Sequence, residues 1–375
     1  MDATVNRPAG AGPSDAQLAR LARLAVEETG LDLAGLTVLT EAATGVRRLG
    51  AGLAALAGAE AVYAVARHTA EAARGEAEAA TAAFAAACGL AARVTVLATR
   101  LQAPLHEVDV VLDLPGVRPV DESVLRNLAA TGAVALTQRA ALWRRQHVDV
   151  AACRRHGVAV AGLDEEAAGL WQHLGAVALR GLAALDVDAV AATVVVAGDG
   201  AFYAHAVRAL APLCRRLLVV APDNPGRVAL HGGEKVADDL AAPGLAERLA
   251  AADALVLCSD RDEPSWLAAG QGATMPAPEA LARLAPHLAV VAVPAARDLR
   301  ALASAGLRVW PDPPPAHSPW ETVPRAFATQ VAAALKVGAA MSRARRRGSS
   351  PLAAEQAAAA EACADLLPKD LAGRG

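Results

Sequence analysis

The sequence predicts an α/β protein with two doubly wound parallel-sheet domains, the second inserted into a flavodoxin-like first. Three observations carry this. Short apolar runs alternate with helical patterns over about 36–161, and again over 193–310. A long helical pattern at 164–185 separates the two arrays, and another at about 324–346 follows the second. At 193–203, Thr-Val-Val-Val-Ala-Gly-Asp-Gly-Ala-Phe-Tyr, a β-branched run passes through two glycines straight into a helix.

Taken in order, residues 1–13 are rich in Pro and Gly and predict a disordered tail. Ser14 with Gln17 makes a capping box for a helix to about Glu28. Leu36–Leu39, Ala61–Ala66, Val94–Ala98 and Val108–Leu112 read as buried parallel strands, with helices at about 44–57 and 70–89. Asp121–Ala130 reads as a helix, and Val134–Leu136 and Val158–Ala161 as strands. The second array places strands at Thr193–Ala197, Leu217–Ala221, Ala254–Cys258, Leu288–Val293 and Leu307–Trp310. It stops at Pro311-Asp-Pro-Pro-Pro315, which neither a helix nor a strand interior tolerates. The expected domains are 14–165 with 320–348, and 166–319. The final helix crosses back onto the first domain, and an Ala-rich tail at 349–375 carries a helix around 352–366.

Composition excludes several classes. A net charge of −3 argues against a binder that neutralises nucleic-acid phosphates. The five cysteines are scattered without a CxxC pair, so neither a metal site nor a disulfide framework is expected. No window has the length and apolarity of a membrane span, and no signal pattern opens the chain, so a cytoplasmic location is the default. The basic cluster Arg343–Arg347 reads as a solvated helix end.

The order strand, glycine turn, helix, strand, acid at 193–223 is that of a dinucleotide-binding βαβ unit. Gly198 permits the tight turn. Gly200, without a Cβ, lets a pyrophosphate approach the backbone, and the helix N-terminus offers free N–H groups to it. Gly198, Gly200, Ala201, Phe202, Asp223 and Ser259 are the candidate cofactor contacts. Asp223, about 25 residues after Gly198, suits a ribose 2′-hydroxyl. Its charge favours NAD, while Arg227 keeps NADP possible. Tyr203 stands where a third glycine normally lets helix and strand pack closely.

His147-Val-Asp-Val and the Gly-Val-Ala-Val run ending at Ala161 are similar to a strand–helix element of the D-2-hydroxyacid dehydrogenases. Trp171-Gln-His-Leu-Gly resembles that family's interdomain helix, with His173 on its histidine. Asp312-Pro-Pro-Pro-Ala-His-Ser-Pro-Trp320 resembles its proline-rich loop. Together they cover about 145–320. The resemblance implies a Rossmann NAD(P)-binding fold, an active site in the cleft between domains and a homodimer. Two family elements are displaced. Pro294-Ala-Ala-Arg297-Asp298 stands where an Arg-Gly pair binds the substrate carboxylate, and Val323-Pro324-Arg325 where a Pro-His pair supplies the catalytic histidine.

Other candidates come from position. Arg118, after a first-domain strand, can clamp a carboxylate bidentately; the structural alternative is a surface turn. Thr40-Glu41 occupies the equivalent edge after the first strand. His317 and Glu321 can serve as an acid/base pair, or Ser318 and Glu321 can simply cap a helix. His173 reads as a packed imidazole and Lys336 as a solvated or subunit-facing lysine. The expectation is an NAD(P)-dependent oxidoreductase acting on a small polar, carboxylated molecule, with no nucleic-acid or membrane partner. The alternatives are tightly bound NAD supporting net lyase or isomerase chemistry, and a degenerate, non-catalytic dehydrogenase fold.

Overall fold

The computed structural model describes residues 13–69, 72–198, 202–221, 231–238, 240, 242, 244–258, 277–293, 299–312 and 317–367. The chain divides into one unit of 1–168 with 324–375 and another of 169–323.

The first unit opens with helix α1 (Asp15–Thr29), started by the Ser14–Gln17 capping box and stopped at Gly30 in the left-handed region. Strands β1 (Thr37–Ala42), β2 (Ala61–Ala66), β3 (Val94–Leu97), β4 (Val110–Asp113), β5 (Ala133–Leu136) and β6 (Ala159–Leu163) are all parallel. Helices α2 (Leu49–Leu56), α3 (Arg74–Ala87), α4 (Glu122–Leu125) and α5 (Val150–Arg155) come between strands. The spatial order of these strands is 3-2-1-4-5-6. Without β3 it is the flavodoxin order, so the expected sheet is present and carries one more edge strand. The helix expected at 121–130 is only the four-residue α4.

The second unit starts at Gly169, at φ 76°. That left-handed residue breaks the single helix expected at 164–185. A 3-10 turn, Leu170–His173, precedes α6 (Leu174–Ala184) instead. Then come β7 (Thr193–Gly198), α7 (Phe202–Leu210), β8 (Arg216–Val220), β9 (Glu234–Ala237), α8 (Leu245–Ala250), β10 (Ala254–Cys258), α9 (Pro278–Leu284), β11 (Ala289–Val293), α10 (Arg300–Ser304) and β12 (Arg308–Trp310). The sheet is wholly parallel, in the order β12-β11-β10-β7-β8-β9, which repeats the topology of the first. The sequence reading missed β9, because an edge strand bearing Glu234 and Lys235 lacks an apolar run.

The chain then returns to the first unit with α11 (Pro324–Arg346), α12 (Pro351–Glu361) and β13 (Ala364–Asp365). A Cβ on Gly338 would lie 2.5 Å from Val110 Cγ1, so α11 is seated directly on β4. Phe327, Val331 and Leu335 of α11 are fully buried in the core that α1, α2 and one face of the sheet share. β13 pairs antiparallel with β6 and covers that edge. Buried Glu355 of α12 bonds Arg154 and accepts from Val160 N–H at 2.9 Å.

Both sheets are latched alike at their amino-terminal edges. Asp109 accepts from Thr37 N–H at 2.9 Å, and Asp253 from Thr193 N–H at 2.7 Å. In each unit the aspartate precedes the fourth strand and the threonine opens the first.

The basic cluster is a partly exposed helix end, as expected, and three of its arginines are also paired. Arg346 donates to both oxygens of Asp109 at 2.8 Å, Arg343 to Asp32, and Arg345 to the carbonyls of Ala130, Gly157 and Ser349. Lys336 is likewise committed, donating to Thr29 O at 2.6 Å where the dipole of α1 ends.

Candidate functional site

In an open parallel sheet, ligands bind beyond the carboxyl ends of the strands where the order reverses. In the second unit that point is β7, with β8 on one side and β10 on the other. The strand ends at Gly198 and α7 begins at Phe202, so the helix N-terminus follows the central strand after three residues. Gly200, Ala201, Asp223 and Ser259 lie outside the described residues, as does the side chain of Phe202.

Gly198 does more than turn the chain. A Cβ there would lie 2.2 Å from Cys258 O and 2.5 Å from Tyr203 Cβ. The tyrosine is 1% exposed. Close helix–strand approach, the usual work of a third glycine, is here achieved at Gly198, which yields the space that Tyr203 Cβ takes. Glycine also brings α6 onto α7, since a Cβ on Gly175 would sit 2.1 Å from Ala209 Cβ. Tyr203 is thereby absorbed into the protein.

The first unit reverses at β1 and β4, and the carboxyl edge there is charged and buried. Asp113 ends β4 and is 1% exposed. Arg118 donates to it through Nε at 2.6 Å and Nη2 at 3.0 Å, and Nη2 also reaches its carbonyl at 3.3 Å. The fork expected to clamp a substrate carboxylate is thus filled by Asp113. Among the described residues no acceptor meets Nη1. Glu41, near the end of β1, is 2% exposed and accepts from Gly116 N–H at 3.0 Å. Gly116 must be glycine, because a Cβ would lie 2.6 Å from Glu41 Cβ and 2.7 Å from Val65 O. The β4 loop is therefore seated on Glu41, two residues before Arg118. Arg47 stands 3.9 Å from Glu41, and Arg139 stands 3.6 Å from Glu165 farther along the same edge. The hydroxyl of Thr40, fully buried beside Gly50, has no hydrogen-bond partner among the described residues.

Sequence reasoning passed over His147 as a site residue. Its Nδ1 is buried without a hydrogen-bond partner among the described residues. Burial first, then the positive charge of Arg118, hold its pKa below the usual imidazole value, against the opposing charge of Asp113. No local signal marks it, because its environment is built by the loops around β4 and β5. His173 is pushed down by burial alone, as a packed imidazole should be. His317 and Glu321 belong to the second unit, at a 3-10 turn (Pro319–Thr322) where Ser318 accepts from Trp320 N–H at 3.3 Å. The capping role of Ser318 is therefore real, and Trp320 beside it is fully buried. Arg118 stands in the other unit.

Two parallel doubly wound sheets, each with its strands in the order 3-2-1-4-5-6, define a two-unit α/β fold. Among solved structures the chain is similar to a dipicolinate synthase chain from Bacillus subtilis, at 13% identity over 85% of this chain and 98% of that one, with a TM-score of 0.50. It is also similar to the dipicolinate synthase chain from Bacillus halodurans, at 15% identity over 79% and 96%, with a TM-score of 0.49. A D-lactate dehydrogenase with NAD+ from Lactobacillus jensenii aligns at 12% identity over 82% and 97%, with a TM-score of 0.44. At such identities the likeness is one of fold. No protein-family model and no curated protein matches the sequence. No described helix is long and apolar enough to cross a membrane.

Proposed function

We propose that the chain is an NAD(P)-dependent oxidoreductase acting on a small carboxylated molecule, and that it works in the cytoplasm as a homodimer. The observation that carries this is the succession of β7 and α7, three residues apart, at the switch point of an all-parallel 3-2-1-4-5-6 sheet. The backbone at 198–202 would hold the pyrophosphate on the α7 dipole, and Asp223 the adenosine ribose. The bound nicotinamide would exchange hydride with the substrate carbon. Arg118, pre-oriented by Asp113, would offer Nη1 to the substrate carboxylate, and His317 or His147 would carry the proton. Titration of the full chain with NADH and NADPH, read by calorimetry, tests the reading. Binding of either in the micromolar range is expected, and no binding of either at millimolar concentration refutes it.

One observation favours a second reading. The Arg118 fork is already taken by Asp113, as suits a dehydrogenase fold kept for binding. Cofactor binding without turnover of any 2-hydroxy, 2-oxo or 2-amino acid would select it.

A further inference from the structure

The edges of the two sheets are blunted everywhere but at β3. β6 is covered by the short strand β13. β9 carries Glu234 and Lys235, and its register against β8 slips between Val219 and Val220. β12 has three residues and opens with Arg308. Short strands, charges and irregular register are the devices that keep an edge from pairing with another chain. β3 has none of them beyond its modest length. Val94-Thr95-Val96-Leu97 holds no charge and no proline, and runs in unbroken register with β2 from Val62↔Val94 to Val65↔Leu97. No strand pairs with its outer side among the described residues, and no other backbone there bonds the outward groups of Thr95 to Leu97.

The surface beside this edge is open and largely apolar. A groove of about 650 Å³ is lined by Glu78, Ala79 and Ala82 of α3 and by Val96, Leu97 and Ala98. Thr95 is exposed, as are Ala79 and Ala82, whose small side chains leave room for another backbone. Leu101, just past the strand, is 57% exposed. Such an edge takes up a strand from another chain.

What the added strand leaves behind decides whose it is. A lone strand laid on β3 would present a new open edge. A second copy that pairs β3 with β3 leaves none, because each edge closes the other. The twofold axis that does this stands normal to the sheet, makes the strands antiparallel and keeps like face beside like. Val94 and Val96 turn toward the core that α3 shares, and Leu97 toward the opposite one. Residues facing each other across the axis are therefore both even or both odd in number. The axis passes at Thr95 or at Val96, in the middle of the strand. Arg93 of one copy then comes opposite Leu97 or Thr99 of the other, at the end where Glu78 lines the groove. Symmetry makes that charge match twice.

Both groups have capacity for it. Arg93 is exposed and donates Nη1 to Ala59 O at 3.1 Å, which leaves further donors on its guanidinium. Glu78 stands 3.2 Å from Arg74. One carboxylate can serve two arginines, as Glu234 serves Arg216 and Arg248 in this chain. Arg100, a further cation at that end of β3, is held by Asp121 at 2.9 Å.

We infer that two copies of this chain join at β3, antiparallel about a twofold axis, into one continuous sheet. This rests on the homodimer of the reading above and gives it a surface.

Sedimentation and light scattering of the full chain over a range of concentrations test it. Twice the chain mass of 38.0 kDa is expected. Thr95→Lys, at an exposed position, sets two ammonium groups opposite or diagonal to each other across the axis and should weaken the dimer by about tenfold or more. Glu78→Arg should weaken it too, and adding Arg93→Glu should restore it, which damage to the separate chain would not. Thermal melting shows that each variant is folded; should Thr95→Lys fail to fold, the charge exchange decides alone. A dimer that neither Thr95→Lys nor the exchange alters overturns the inference and leaves the homodimer standing. A monomer at every concentration overturns both.

Discussion

Replacing Arg118 by alanine separates two roles for its guanidinium. If the side chain were free for a substrate, Arg118→Ala would cost little stability. In the structure it is 12% exposed and bonded to an Asp113 side chain that is 2% exposed. Removing it leaves a buried carboxylate without its counter-ion, which costs about 3–5 kcal/mol. For a folding unit of roughly 200 residues, about 2–4 °C is lost per kcal/mol, so the first unit should melt about 6–20 °C lower. Asp113→Ala should cost a similar amount by stranding the guanidinium. The double variant buries no unpaired charge and should be more stable than the sum of the two, by a coupling of about 2–3 kcal/mol. Scanning calorimetry of the four proteins measures this. Additive effects, or an Arg118→Ala cost below about 1 kcal/mol, would show that the pair is not coupled and would refute the reasoning.

Three further outcomes are expected. Gly198→Ala should destabilise the second unit by more than the roughly 1–3 kcal/mol usual for overpacking, because its Cβ meets a backbone oxygen at 2.2 Å; adding Tyr203→Ala should not restore stability. Thermal denaturation of these variants with and without NADH checks both points. Asp109→Ala should cost about 2–4 kcal/mol by removing the acceptor of Thr37 N–H, Thr131, Ser342 and Arg346, while Asp253→Ala, which frees one backbone N–H among the described residues, should cost about 1–2. Urea titration ranks them. The folded pKa values of His147 and His173 lie below the ordinary 6.5, so the unfolded chain binds more protons as the solution is acidified. Their contribution is full above 6.5 and is lost as pH falls through that value toward the folded pKa; His147→Gln should flatten the slope of stability between about pH 5 and 7.

The elements legible in the sequence are those whose signal is local. The apolar runs at 193–198, 254–258 and 289–293 became central strands because strands buried on both faces read as continuous Val, Leu and Ala. The Ser14 capping box and the glycine turn at 198 are equally local, each set by neighbours within a few residues. Edge strand β9 and the break at Gly169 were illegible, the first because Glu234 and Lys235 leave it no apolar run, the second because a left-handed glycine leaves the flanking helical pattern unchanged. At the site, the sequence singled out Arg118 and Glu41 by their places after strands, but not their partners.

By itself, then, the sequence determined two βα arrays and the order of their elements, because periodicity is a property of neighbouring residues. Tertiary structure decided which face each charge meets. It gave Arg118 to Asp113, Glu41 to Gly116, Arg346 to Asp109 and Lys336 to the end of α1. It also settled how Tyr203 fits, since the space for its Cβ comes from Gly198 on another element. Such pairings depend on distances between segments that the folded sheet alone brings together, and no local pattern encodes them.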